Sequence, residues 1–214
     1  MRSLLTAVLL LLISGCGKPD QPTVNLYLAV QRGDIDQIER HIAWGSDING
    51  LDADGHRPLH VAAAQGRYVI VKLLLKHGAE RDAGDRDGNT ALHHALLAGR
   101  TQVAEYLVRQ GAPLEADRML ERVIAHDTAD RDVIAFLVSR GANLNRHFES
   151  GYSPLATAVN RDLRRMAKRL IAAGADVNQP TREGKTPLDL ALERGNRDII
   201  RILQRNGAVA GVKP

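Results

Sequence analysis

Eight histidines, 25 carboxylates and one cysteine are the groups in this 214-residue chain with chemistry to offer. Zinc needs three or four convergent imidazole, thiolate or carboxylate donors. His93 and His94 are adjacent, so on a helix they point to different faces and cannot clasp one metal as an i, i+4 pair does. No ligand cluster is visible along the chain, and no metal or other cofactor is expected. The patterns that position a nucleophile or a phosphate are missing: there is no Gly-x-Ser-x-Gly elbow, no phosphate loop and no His-Glu-x-x-His. Asp and Glu recur at regular intervals, as turn formers and solvated helix faces do. Carboxylates meeting from distant segments would be the one route to acid–base catalysis, and an enzyme is not expected.

The cysteine stands apart. Residues 1–15 read MRSLLTAVLLLLISG, a positive start at Arg2 followed by an apolar run from Leu4 to Ile13 broken by Thr6. A membrane-crossing helix needs about 20 apolar residues, so the run has the length of a signal-peptide core instead. Ile13-Ser14-Gly15-Cys16 resembles the lipobox of bacterial lipoproteins, where a peptidase cuts before the cysteine and its thiol is acylated. That resemblance implies lipid attachment at Cys16 and leaves no thiol for a disulfide or a nucleophile. Several acyl chains on one residue anchor stably where one binds marginally. Gly17 in place of Asp implies, by the sorting rule of enteric bacteria, an outer-membrane anchor facing the periplasm. An ordinary signal peptide beside a stray cysteine is the alternative. Residues 16–23 then form the lipidated end and a Pro-containing tether of at most ~25 Å.

The elements that would position any site come from a repeat. Gly45, Gly78, Gly111, Gly141, Gly174 and Gly207 are spaced by 33, 33, 30, 33 and 33 residues, and a second glycine lies twelve residues earlier at Gly33, Gly66, Gly99 and Gly195. A fixed period of this kind means stacked supersecondary units. Asp52-Ala53-Asp54-Gly55 and Asp85-Arg86-Asp87-Gly88 are turn signals, and Ser153-Pro154 and Thr186-Pro187 pair a capping hydroxyl with a proline suited to the first helical turn. A short Ala-rich helix follows, then a second helix with an apolar quartet such as Ile70, Val71, Leu74 and Leu75 or Met166, Ala167, Leu170 and Ile171. In the first unit the quartet slots hold Gln37 and His41, and in the last Gln204, which predicts end units with polar outer faces.

RPLHVAAAQGRYVIVKLLLKHGAE, NTALHHALLAGRTQVAEYLVRQGAP and KTPLDLALERGNRDIIRILQRNGA resemble ankyrin repeats. The resemblance implies an all-α solenoid with β-turn fingers over residues 24–212, in units of about 24–50, 51–83, 84–115, 116–146, 147–179 and 180–212. It places His60 and His93 as hydrogen-bonding groups at helix starts. The fourth unit lacks an Asp-x-x-Gly turn, so its three missing residues are expected to come from the finger and to leave a notch. Loss at an exposed tip is easily tolerated and reads as neutral, with a partner-shaped cleft or a bend in the solenoid as the alternative. Trp44 is expected to pack on the N-terminal cap.

Binding in such proteins uses finger tips and the exposed end of the inner helix. Carried over by position, the candidates are Asp54, His56, Arg86, Asp87, Asn89, Tyr152, Arg182 and Lys185 on fingers, and Leu97, Asn160, Arg161 and Arg194 on inner helices. Tyr152 and Leu97 are expected to meet solvent, Tyr152 as an amphipathic anchor. Residues 146–214 carry 13 basic and 7 acidic side chains. Arg164, Arg165, Lys168, Arg169, Arg197, Arg201 and Arg205 fall on outer helices, off the apolar stripe. A solvated face is the plain reading, and contact with anionic headgroups or an acidic partner the sharper one. Only seven aromatics and a secretory address argue against nucleic acid. The expected role is a non-catalytic, lipid-anchored protein-binding module, monomeric until bound, inhibiting or regulating an envelope enzyme or toxin as an immunity partner. The alternative is a structural component contacting peptidoglycan, anionic lipid or an assembly complex.

Overall fold

The structure is a computed structural model that describes residues 20–211; the expected leader, Cys16 and the tether as far as residue 19 lie outside them. Among the described residues there are twelve helices and no strand. They are α1 Leu26–Arg32, α2 Ile35–Trp44, α3 Pro58–Ala64, α4 Tyr68–Lys76, α5 Ala91–Leu97, α6 Thr101–Arg109, α7 Ala116–Ala125, α8 Arg131–Ser139, α9 Pro154–Asn160, α10 Arg164–Ala172, α11 Pro187–Arg194 and α12 Arg197–Arg205. Odd-numbered helices pack on one another in an inner row, and each carries its even-numbered partner outside.

Local chemistry sets the helix ends. Ser153 Oγ accepts from the Ala156 amide, Thr186 Oγ1 accepts from the Asp189 amide, and Pro154 and Pro187 occupy the first turns. Gly33 and Gly195 close α1 and α11 at φ 78° and 67°, a left-handed conformation that glycine adopts without a Cβ clash. Inside the stack the apolar stripe is dry: Val71, Leu74, Leu107, Leu137, Met166, Ala167 and Leu170 are fully buried. No single pair of helices could enclose these side chains, so the stacking itself is what removes them from water.

Adjacent units are also stitched by polar groups. Asn49 Nδ2 donates to the Gly78 carbonyl (3.1 Å) while its Oδ1 accepts from the Glu80 amide (2.9 Å). Asn178 repeats the arrangement with Gly207 and Val209 at 3.2 and 2.9 Å, and Asn145 Oδ1 takes the Asp176 amide at 2.9 Å.

The two ends differ from expectation in part. Gln204 is exposed, as a capping unit requires, but His41 is buried. Its Nε2 lies 2.7 Å from the Val24 carbonyl and its Nδ1 2.9 Å from Ser46 Oγ, so the imidazole pins the incoming chain instead of facing water. Gln37 is half-buried for the same reason, its Oε1 accepting from the Thr23 amide. Thr23 therefore already belongs to the folded end. Trp44 does not pack on the cap: it is 45 % exposed.

Candidate protein-binding surface

Four fingers rise from the inner row. In each, the first residue's amide donates to the carbonyl four residues on: Asp52 to His56, Asp85 to Asn89, Phe148 to Tyr152 and Thr181 to Lys185, at 2.8–2.9 Å. Between the second and third of these the row is interrupted, because α7 starts at Ala116 directly after the Gly111 turn. The accounting differs from a simple three-residue loss. Gly78 and Gly99 are 21 positions apart, whereas Gly111 and Asp127 are 16 apart; Gly99 to Gly111 is 12, and Asp127 to Gly141 is 14. Finger and inner helix together are thus short by five residues, because α7 starts eight positions sooner after its glycine than α5 does but runs three residues longer, and the interhelical loop is longer by two. Asp127 and Asp162 hold the left-handed position, φ 51° and 59°, where the other units use glycine.

The gap is a cleft of about 850 Å³ lined by Glu115, Asp117, Arg118, Glu121, Arg140, Arg146, His147, Phe148, Glu149 and Arg182. A smaller hollow of about 230 Å³ lies on the other side of α7, between Gly88, His93, Leu114, Arg118 and Arg122. Asp117 anchors the larger cleft. Its Oδ1 accepts from the Asn143 amide (2.7 Å) and its Oδ2 from Arg146 Nη1 (2.6 Å), and these two bonds hold its carboxyl below the usual carboxylate range against the opposing effect of burial. The inner face of α7 is also bulkier than its neighbours. It buries Leu120, Val123 and Ile124 where α3 buries Leu59, Ala62 and Ala63, and α7 packs less extensively on α5 and α9 than α3 does on α5.

Most of the candidate side chains proposed from sequence are tied into the scaffold. Arg86 lies across Gly55 of the preceding finger, so close that a Cβ at Gly55 would clash with its side chain. Arg182 repeats this at Gly151, where its amide donates to the Gly151 carbonyl and its guanidinium to the Glu149 carbonyl. Asn89 donates to Asp85 and accepts from Arg122, which reaches over from α7. Arg161 Nη1 donates to the Ile124 carbonyl at the end of α7 (3.0 Å), and Arg194 places Nε and Nη2 on Asn160 Oδ1. Lys185 pairs with Glu193 at 3.0 Å. Asp54 and Asp87 stand exposed at finger tips. Tyr152 and Leu97 depart from expectation: both are half-buried and packed against the core.

Sequence reasoning missed two groupings. The cleft residues Arg118, Glu121, Arg140, Arg146 and His147 come from segments with no finger signature, and their one linear signal is the spacing of 30 between Gly111 and Gly141. The other is a ligand cluster that the separate histidines did not disclose. His56, Asp85 and His94 bring one donor atom each to within 4.8 Å of one another, and Asp52, Asp54 and His56 form a second such group. His93 and His94 do point to different faces. His93 Nδ1 accepts from the Thr90 amide at 3.0 Å, whereas His94 Nε2 donates to Asp85 Oδ2 at 2.8 Å. His60 is a helix-start group too, with Nδ1 accepting from the Arg57 amide and Nε2 donating to the Ala83 carbonyl. Burial lowers the pKa of both His60 and His93, keeping those rings neutral.

Comparison with known proteins fits this geometry. A family model described as ankyrin repeats (3 copies) matches residues 26–117 and 123–213. Among curated proteins, the potassium channel KOR1 of Oryza sativa subsp. japonica is 49 % identical over 55 residues, and the 2-5A-dependent ribonuclease of Mus musculus 45 % over 56. Each match takes in 26 % of this chain but only 6 % and 8 % of those proteins, so it concerns the repeats and not their activities. Among solved structures, the ankyrin repeat domain of Bcl-3 superposes with a TM-score of 0.66 at 27 % identity over 89 % of both chains. A chain of the complex between the predatory endopeptidase Bd0816 of Bdellovibrio bacteriovorus and immunity protein Bd3460 gives 0.63 at 25 %, covering 86 % of this chain and 99 % of that one. Family match, helix order and finger geometry agree: the chain belongs to the ankyrin-repeat family.

Proposed function

We propose that the chain is a non-catalytic protein-binding module, lipid-anchored through Cys16 in the bacterial envelope, that inhibits or regulates one envelope enzyme or toxin. The observation that carries this reading is the cleft of about 850 Å³ in the finger row, walled by charged side chains of both signs. An ankyrin stack presents its fingers and inner helices as one continuous surface, and a missing finger converts part of that surface into a receptacle for a projecting segment of a partner. Mixed charges at the rim of such a receptacle favour one partner over others by penalising mismatched contacts. Likeness to a chain from an endopeptidase–immunity protein complex, over nearly the whole of that chain, supports an inhibitory role.

Two measurements test the proposal. Metabolic labelling with a clickable palmitate analogue should mark the wild-type chain and not Cys16→Ser; labelling of both refutes the anchor. For binding, the chain serves as bait in an envelope extract. Arg118→Glu combined with Glu121→Arg should lower partner capture at least about tenfold without moving the melting temperature, since both side chains are exposed. Capture by the double variant at wild-type strength refutes the cleft as the binding site.

A second reading, a structural envelope component, rests on the basic outer face. Arg165, Lys168, Arg169, Arg197 and Arg205 are exposed on α10 and α12, while Arg164 and Arg201 share Asp198 at 2.8 and 3.6 Å. It requires that Arg165→Glu, Lys168→Glu and Arg169→Glu together abolish salt-sensitive co-sedimentation with peptidoglycan or anionic vesicles.

A further inference from the structure

We propose that His56, Asp85 and His94 form a binding site for a divalent cation of the zinc class, bridging the second and third units and leaving a fourth coordination position open. His56 ends the finger of the second unit, Asp85 begins the finger of the third, and His94 stands on α5. Each offers one ligand atom, and the three atoms lie within 4.8 Å of one another. Two imidazoles and a carboxylate are a donor set that suits zinc over the harder magnesium and calcium.

The supporting shell is already in place. The Asp85 side chain is only 4 % exposed. Its Oδ1 accepts from the amides of Asp87 (2.9 Å) and Asn89 (2.7 Å), and its Oδ2 from Asn89 Nδ2 (3.2 Å) and His94 Nε2 (2.8 Å). The bonds from Asp87 and Asn89 orient the carboxylate, as outer-shell bonds do in metal sites. The His94 ring is fixed by stacking on His60, centroids 5.0 Å apart, and by the edge-to-face approach of His56 at 5.2 Å.

An ordinary hydrogen-bonded pair accounts for Asp85 and His94 but not for the third member. His56 comes from another unit, its side chain is 37 % exposed, and its Nδ1 makes only a 3.8 Å approach to Asp52 Oδ1. His60 and His93, by contrast, already spend ring nitrogens on the backbone. A cation would displace the proton that His94 gives to Asp85, draw in His56, and cross-link two fingers that otherwise meet through Arg86 over Gly55.

The test is titration of the full chain, carrying Cys16→Ser and no polyhistidine tag, with zinc chloride by calorimetry. One zinc per chain is expected, with a rise of at least ~2 °C in melting temperature at saturation. His56→Asn and His94→Gln should each weaken binding by about ten- to a hundredfold. His77→Asn, an exposed histidine outside the cluster, should leave it unchanged. Because His94→Gln also disturbs the Asp85 bond, the decisive variant is His56→Asn, whose circular dichroism and metal-free melting temperature should match wild type. No saturable zinc binding, or binding that survives His56→Asn at full strength, overturns the site.

Discussion

The third and fourth units lie side by side on the same core, and only one of them carries a finger. α5–α6 and α7–α8 each bury a dry apolar stripe, with Leu107 and Leu137 both fully enclosed. Above that shared base they diverge. The third unit spends Asp85–Asn89 on a turn that organises its own carboxylate, whereas the fourth extends its inner helix back to Ala116 and opens a cleft. The difference teaches that helix pair and finger are separable parts. Core stripes are constrained by the neighbours on both sides, while the tip answers only to its own turn and to the fingers next to it.

The strongest challenge to that separation is a cavity in each stripe. Leu107→Ala and Leu137→Ala should each cost about 2–5 kcal/mol by denaturant titration, with amide exchange accelerated in the mutated unit and its neighbours. Uniform loosening of all six units would show that the stack melts as one body and that the units are not separable. A smaller energy but a sharper question attends restoring the finger. Inserting the five residues of Asp85–Asn89 between Glu115 and Ala116 should change stability by no more than ~1 kcal/mol, because loop closure costs grow slowly with length. It should nonetheless lower partner capture at least about tenfold, and unimpaired capture would mean that the cleft is incidental.

Acid separates the two units next. Asp85, in the third unit, is lowered from 3.8 to about 2, and Asp117, in the fourth, is lowered as well. A carboxylate with a depressed folded pKa adds stability above its unfolded pKa and loses it as the pH falls through the folded value. Urea midpoints should therefore drop from about pH 4 toward pH 2, and Asp85→Asn should flatten that slope more than Asp117→Asn. His60 and His93 are lowered from 6.5, so their share is present above pH 6.5 and declines as the pH falls below it. His93→Gln should remove part of this earlier decline. Least affected of all should be Arg164→Ala, which breaks an exposed pair with Asp198: a change within ~0.5 kcal/mol that shrinks further in salt.

Much of the solenoid was readable because its causes are local and repeated. The glycine ladder, the hydroxyl–proline starts and the apolar quartets each name an element within a dozen residues, and twelve helices follow. Reading failed where a side chain's environment depends on another unit. Gln37 and His41 look like a polar cap in the linear pattern, yet the incoming chain at Thr23 and Val24 covers them. Tyr152 and Leu97 sit at positions that face outward in a generic repeat, but here they rest on the core. Arg86, Arg182 and Arg194 occupy partner-contact positions of a generic repeat, but here they reach to the unit before their own.

Taken alone, the amino-acid order determined the period, the helix pairs, the absent fourth finger and the place of Cys16 after an apolar run, since each is a property of neighbouring residues along one stretch of chain. Only the tertiary structure decided that losing five residues and gaining two produces an open cleft, and that His56, Asp85 and His94 converge. The physical reason is the stacking. Residues some 30 positions apart become neighbours through the packing of one inner helix on the next, and the size of the side chains between them sets how near they come.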